Sequence, residues 1–132
     1  MIRQNKFTKT YAKLSCIPLQ IHVPTLIPRN IQHLYISHNN ISSLTGIESY
    51  PNLVSLNVSY NRLTLIEELK MIQNPDYLLR IGLKMNDFVY GYQDYAIKLF
   101  RNLEKIDDIC VKDKIRVKEM WERGEKIASD FL

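Results

Sequence analysis

The feature that most constrains this chain is an apolar pattern that returns after 22 residues. It runs apolar-x-x-apolar-x-apolar-x-x-Asn-x-apolar-x-x-apolar-x-x-apolar, and it occupies residues 31–47 and again residues 53–69. Neither the 3.6-residue period of a helix nor simple alternation along a strand explains this spacing. One turn of a solenoid does, since it joins a short strand, a tight turn and a return segment. The sequence therefore predicts similar coils stacked side by side.

An asparagine recurs where each predicted strand ends, at Asn39 and Asn61. An inward amide carries donors and an acceptor, so it can satisfy backbone groups that the bend leaves free. A third copy at residues 78–88 keeps this residue as Asn86, offset by 25 residues instead of 22. Asn74-Pro75-Asp76 is rich in turn formers, and it is the expected place for the three extra residues.

The segments on either side of the repeats read as caps. Residues 14–27 are apolar but punctuated by Pro18, Pro24 and the following Pro28, so they are expected to be extended and to cover the first coil without extending its sheet. After a break at Gly91, residues 92–103 have the apolar spacing of a helix. An acidic turn at Asp107 and Asp108 closes this C-terminal cap.

The 22-residue period, the repeated asparagine and the closing segment at residues 95–107 resemble one subfamily of leucine-rich repeat proteins, which has a dedicated C-terminal cap. That subfamily includes a nuclear phosphatase regulator, a spliceosomal subunit, a ciliary dynein light chain and several centrosomal proteins. The resemblance covers roughly residues 14–115. It implies an α/β fold: a short solenoid with parallel strands on its concave face, an extended N-terminal cap, and a C-terminal helical cap followed by a terminal helix. Because the same scaffold serves unrelated partners, the resemblance implies a binding function but does not identify the partner.

The expected organisation is a basic N-terminal arm at residues 1–13, a repeat domain with its caps at 14–111, and an amphipathic helix at 112–132. The whole chain has a net charge of +4, and residues 1–30 carry five basic residues and no acidic residue. The arm is interpreted first as a solubilising tail. The alternatives are that it contacts nucleic acid, anionic lipid or an acidic partner, or that it is a mitochondrial presequence. The first half of the terminal helix is expected to pack back, and Trp121 and Phe131 to contact a partner.

No chemistry-bearing constellation is predicted. His33 and His38 share one coil, but the equivalent positions of the next coils hold no further ligands, so no metal site is expected. Cys16 and Cys110 fall in opposite caps, where neither a bridge nor a cysteine–histidine nucleophile is expected. No Gly-rich phosphate loop is present. We therefore expect no catalytic residue, no cofactor and no enzyme.

The concave strand face is the expected binding surface. Residues that alternate with the core positions must point outward, and parallel strands stack them into columns. Gly82 either allows close approach of a partner or relieves crowding. Tyrosine, arginine and methionine are frequent in binding hot spots. With Trp121 added from the terminal helix, the predicted partner-binding residues are His33, Tyr35, His38, Asn57, Tyr60, Arg80, Lys84, Met85 and Trp121.

The sequence thus predicts a non-enzymatic protein-interaction module, an adaptor or subunit of a larger intracellular assembly. No apolar run of 18 residues and no secretory signal is visible, so a cytoplasmic protein is expected, with nuclear, cytoskeletal or ciliary sites as alternatives. One alternative function is a ribonucleoprotein subunit whose basic arm touches RNA, with Tyr35 and Tyr60 as stacking platforms. Another is a regulatory subunit of an enzyme such as a phosphatase.

Overall fold

The computed structural model describes residues 3–7, 11–16 and 21–124. Its described strands form one seven-stranded sheet in chain order. The strands are β1 (Arg3–Phe7), β2 (Tyr11–Ser15), β3 (His33–Tyr35), β4 (Ser55–Asn57), β5 (Arg80–Gly82), β6 (Lys105–Ile106) and β7 (Ile109–Cys110). The two helices are α1 (Tyr92–Leu99) and α2 (Val111–Glu122).

Strands β2 to β6 run parallel and in register, as the repeat predicts. Each contributes one inward residue to a buried column, because side chains alternate across a strand and only every second one faces the core. That column consists of Ala12, Leu34, Leu56, Ile81 and Ile106. The predicted short solenoid of parallel strands is confirmed.

The N-terminal end differs from the expectation of a cap that leaves the sheet unextended. Strand β2 pairs parallel with β3, with Ala12 opposite Leu34, and β1 returns antiparallel against β2. Ala12 and Leu14 are buried. The expected arm at residues 1–13 thus contributes β1 and part of β2, and the expected cap begins inside a strand. An added coil shields the core of the first full repeat, and the antiparallel β1 shields the edge of that coil.

The return segments are short 3₁₀ turns at Ile47–Ser49, Ile66–Met71 and Pro75–Tyr77. The last of these lies at the place predicted for the three extra residues. Asn74 Nδ2 donates to the carbonyl of Pro51 at 2.5 Å, which ties the longer coil to its neighbour. The extra turn is therefore accommodated on the return side, and the register of the strands is preserved.

The repeated asparagines carry the role that the sequence predicts. Asn61 is buried, and its Nδ2 donates to the carbonyls of Ile36 and Val58 at 3.0 and 2.9 Å. Its Oδ1 accepts from the amide of Ile41 at 3.1 Å. Each such side chain thus joins its own coil to the preceding one. The same donor pattern recurs at Asn39 and Asn86.

The C-terminal cap is built around one carboxylate. Asp107 follows β6 with φ 54°, and its Oδ1 accepts the amides of Leu83 and Lys84 at 2.7 and 2.9 Å. Its Oδ2 accepts from the Tyr92 hydroxyl at 2.7 Å and from Gln93 Nε2 at 2.8 Å. Burial raises the pKa of Tyr92 to about 12, and the hydrogen bond to Asp107 and its negative charge act in the same direction. Asp107 therefore fastens the start of α1 to the last full repeat.

Helix α1 is shorter than predicted, and α2 ends at Glu122 within the described residues. Helix α1 ends at Leu99, since Phe100 leaves the helical conformation and its ring is buried. Helix α2 begins at Val111, which is buried, and Lys114 Nζ lies 3.9 Å from Asp94 Oδ1 at the start of α1. The first half of α2 therefore packs back on the cap, while Phe131 lies outside the described residues.

Candidate functional site

The concave face presents outward side chains in rows that run across the strands. The first row comprises Tyr11, His33, Ser55, Arg80 and Lys105, which stand opposite one another in register. The second comprises Lys13, Tyr35, Asn57 and Gly82. Ser37, Ser59 and Lys84 follow two residues later as a third row. Eight of the nine predicted partner-binding residues lie on these rows or at the corners where the coils leave the strands. The exception is Trp121.

A ridge of exposed side chains marks the corner where each coil leaves its strand. We call His38, Tyr60 and Met85 the corner ridge. All three have left-handed φ values, of 58°, 56° and 59°, which are uncommon for residues other than glycine. The imidazole of His38 stacks on the ring of Tyr60, with centroids 4.3 Å apart. Met85 is 64% exposed and Tyr60 is 40% exposed, so the ridge offers contact area to a partner.

Side chains of the first and second rows contact one another, and these contacts partly shield them from solvent. The Tyr35 hydroxyl hydrogen-bonds Ser55 Oγ at 3.0 Å, and its ring meets Tyr11 edge-on at a centroid distance of 5.2 Å. Ser55 is buried, although its alternation with the core positions predicts a side chain that is open to solvent. Tyr35 is thus half-buried and holds neighbouring coils together as well as facing outward.

His33 lies in the first row with its Nδ1 buried and without a hydrogen-bond partner among the described residues. Burial lowers the pKa of His33, and the guanidinium of Arg80 lowers it further. The imidazole is therefore held in its neutral form beside a cation.

Acidification is expected to destabilise the fold through His33. Its pKa in the native state lies below the unfolded value of about 6.5, so the unfolded chain binds more protons as the pH falls through that range. Stability should be highest above pH 6.5 and should decrease below it. Urea unfolding at pH 7.5 and 5.5 measures this difference. His33→Gln should make this difference in stability between the two pH values smaller.

Gly82 occupies a crowded position in the second row. A Cβ atom there would lie 2.6 Å from Asn57 Oδ1 and 2.9 Å from Ser59 Oγ. Asn57 Oδ1 also accepts hydrogen bonds from the amide and hydroxyl of Ser59, which is buried. Of the two predicted roles for Gly82, relief of crowding is therefore the one that the structure supports. Asn57 faces outward, but its side-chain oxygen is already hydrogen-bonded to Ser59 at the end of its own strand.

A shallow pocket of about 160 Å³ opens between the third row, the corner ridge and the acidic turn. Lys84 Nζ lies at its rim and forms an ion pair with Asp108 Oδ2 at 2.7 Å. This hydrogen-bonded pair raises the pKa of Lys84 and lowers the pKa of Asp108. Lys84, predicted as a binding cation, thus has its charge compensated within the chain.

Trp121 does not lie among the residues that form the rows or this pocket. It stands near the end of α2, and its side chain is 66% exposed. It remains a candidate for a separate contact and is not part of the concave face.

Sequence reasoning missed several residues of this face. Tyr11 and Lys13 were expected in a tail, although Ala12, Leu14 and Cys16 precede Leu34, Ile36 and His38 by the same 22 residues and could have revealed the added strand. Lys105 was not predicted either. Its place beside Arg80 follows from the pairing of β5 with β6.

The described part of the chain has no group of three or more His, Cys, Asp and Glu residues that could hold a metal ion. Cys16 and Cys110 are both free thiols and both exposed. Within residues 3–7, 11–16 and 21–124, neither helix is long and apolar enough to cross a membrane.

Comparison with known sequences gives one family and several relatives. A family model described as leucine-rich repeats, in two copies, matches residues 29–71. Leucine-rich repeat-containing protein 36 of Mus musculus is 33% identical over 91 residues, which is 67% of this chain. The Homo sapiens protein of the same name is 33% identical over 88 residues, or 64% of the chain. An uncharacterised leucine-rich repeat-containing protein of Schizosaccharomyces pombe is 30% identical over 71 residues, or 54%.

The matches cover only a small part of these relatives. The aligned region spans 12% of the mouse and human proteins and 11% of the yeast protein. It therefore corresponds to one repeat region within much longer chains.

Proposed function

Because this chain is a leucine-rich repeat protein, we propose that it is a non-enzymatic adaptor or subunit that binds a protein partner through its concave face. The observation that carries the proposal is the corner ridge. His38, Tyr60 and Met85 are exposed at three successive coils, next to a shallow pocket. Aromatic and methionine side chains on a rigid scaffold are typical of interface hot spots.

The rigidity of the face supports the same proposal. The corners are joined by backbone hydrogen bonds from one coil to the next, such as His38 N to Ser59 O at 3.2 Å and Tyr60 N to Lys84 O at 3.0 Å. A preformed surface orders few groups when it binds, so less conformational entropy is lost. The ridge side chains can therefore contribute most of their contact energy to affinity.

The RNA alternative is less well supported by the tyrosines. One face of Tyr60 is already covered by His38, and Tyr35 is held by Ser55 and Tyr11. A base-stacking platform needs a free aromatic face. The two tyrosines are better suited to contact with protein side chains.

Truncation of the corner ridge is expected to weaken partner binding without unfolding the chain. In Tyr60→Ala/Met85→Ala, two exposed side chains are lost, and we expect affinity for the captured partner to fall at least about tenfold. Affinity capture from native cells identifies the partner, and calorimetry with that purified partner measures the change.

Leu65→Ala/Tyr77→Ala is the matched control. It removes side chains that are 60% and 55% exposed on the return segments, away from the strands. This variant should bind as the wild type does, and both variants should retain the thermal midpoint within a few degrees. If the control loses the partner and the ridge variant keeps it, the return side is the binding surface and the proposal is wrong.

A further inference from the structure

The charges of the concave face are segregated between its two edges. The first row carries Arg80 and Lys105 side by side on β5 and β6, whereas Lys13, in the second row, lies on β2, three strands away from β5. Arg80 and Lys105 are both exposed. Within the described residues, neither of them forms an ion pair. The opposite edge carries the corner ridge, and there Lys84 is compensated by Asp108.

The two edges are separated by a fixed distance. From Arg80 to Lys84 the chain advances four residues, which corresponds to roughly 13 Å at about 3.3 Å per residue of strand. Gly82 lies between them and projects no side chain. A partner segment that crosses this gap meets two exposed cations without an ion-pair partner on one side and exposed aromatic and thioether groups on the other. Lys105 also acts through space on Asp108, whose pKa it helps to lower.

From this arrangement we propose that the partner is a protein segment that places carboxylates against Arg80 and Lys105 and an apolar side chain against the corner ridge. The inference rests on the proposed function and specifies the chemistry of the partner at that site. Arginine binds carboxylates through a planar fork of donors, so Arg80 fixes the position of the acidic group. Lys105 adds a second positive charge without a fixed geometry.

A discrete acidic group fits this face better than a nucleic-acid backbone. Phosphate backbones are bound through many cations along their path, and affinity grows with the number of contacts. Here the face ends in Asp107 and Asp108 beside Lys84, so a polyanion that continues along the coils would meet negative charge. A protein segment can change from acidic to apolar within the roughly 13 Å that separate the two edges.

A displayed library of random 16-residue peptides, selected against the immobilised full chain, tests the proposal. We expect selected peptides to contain Asp or Glu at a constant spacing from a Leu, Phe or Met. The separation should be about four residues if the peptide is extended and about eight or nine if it is helical. A synthetic copy of the strongest binder then serves as the probe, and a 15-nucleotide oligouridine is measured beside it.

Charge reversal identifies the row that binds the acids. Arg80→Glu/Lys105→Glu should lower the affinity for the probe peptide at least tenfold. In the wild type, raising NaCl from 50 to 300 mM should also lower this affinity. Arg62→Glu/Lys70→Glu makes the same change of charge at exposed positions that follow the ridge on the return side, and it should have little effect. Circular dichroism melts verify that both variants are folded.

The outcomes separate this inference from the proposed function. Suppose that Tyr60→Ala/Met85→Ala lowers the affinity for the probe peptide but charge reversal in the first row does not. The concave face then binds the peptide, and the proposal of an acidic partner is wrong. If neither variant lowers this affinity, both proposals fail. A selection that yields no binder, peptides that lack acids, or tighter binding of oligouridine than of the peptide would also overturn the acidic-segment proposal.

Discussion

Asn61→Ala is expected to lower the free energy of unfolding by about 3 to 5 kcal/mol, since each buried polar group left without a partner costs about 1–3 kcal/mol. The side chain is 7% exposed, and it satisfies three carbonyls and the amide of Ile41. Alanine would leave these groups unpaired inside the solenoid. A loss of this size is a large part of the total stability of an ordinary domain.

Urea denaturation of Asn61→Ala and of Asn40→Ala measures this effect. Asn40 follows the repeated asparagine Asn39 in sequence but is exposed, so its substitution should change the free energy of unfolding by less than about 0.5 kcal/mol. Equal losses in the two variants would mean that the hydrogen bonds of the repeated asparagines do not hold the coils together.

Asp107→Ala is expected to open the C-terminal cap and to cost about 2 to 4 kcal/mol, because its carboxylate accepts four hydrogen bonds from two elements. Two of the donors are backbone amides of the last full repeat, and two are side chains at the start of α1. Without the carboxylate, α1 and β6 lose their shared anchor. Hydrogen exchange should accelerate in α1 and β6 and remain slow in β3 and β4.

Asp108→Ala is the matched control for this prediction. The two carboxylates are neighbours, but Asp108 is exposed, forms its ion pair with Lys84 at the surface and is otherwise acted on by the charge of Lys105. Exposed ion pairs are screened by solvent, so Asp108→Ala should change the stability of the cap little. If Asp108→Ala destabilises the cap as much as Asp107→Ala does, the cap is held by surface charge and not by the four hydrogen bonds of Asp107.

The repeat could be predicted because its pattern is local. Each coil carries its own apolar positions and its own asparagine, so the strand register and the roles of Asn39, Asn61 and Asn86 follow from spacing alone. The residues of the corner ridge were predicted to bind because they stack as outward-facing equivalents of successive repeats; their left-handed backbone conformation was not predicted. The binding role of the corner ridge remains a prediction.

Features that depend on contacts between coils could not be predicted in the same way. The burial of Ser55 arises from Tyr35 on the neighbouring strand, and the crowding at Gly82 arises from Asn57. The added strand β2 was hidden because Ile17 stands where the repeat has asparagine. Asp107 reads as an exposed acid in the sequence, since its partners Tyr92 and Gln93 come from a different element.

The segregation of charge also emerged only from the assembled sheet. Arg80 and Lys105 are 25 residues apart in the sequence, and the pairing of β5 with β6 makes them neighbours. Such long-range juxtapositions determine which partner chemistry the face can accept.

The most direct test of the central claim is a hydrogen-exchange comparison of the free chain with its complex with the captured partner. If the concave face binds, protection should increase at residues 33–38, 55–60 and 80–85 and should stay unchanged in the return segments at 41–50 and 63–78. Protection confined to those return segments, or to α2 around Trp121, would contradict binding through the concave face.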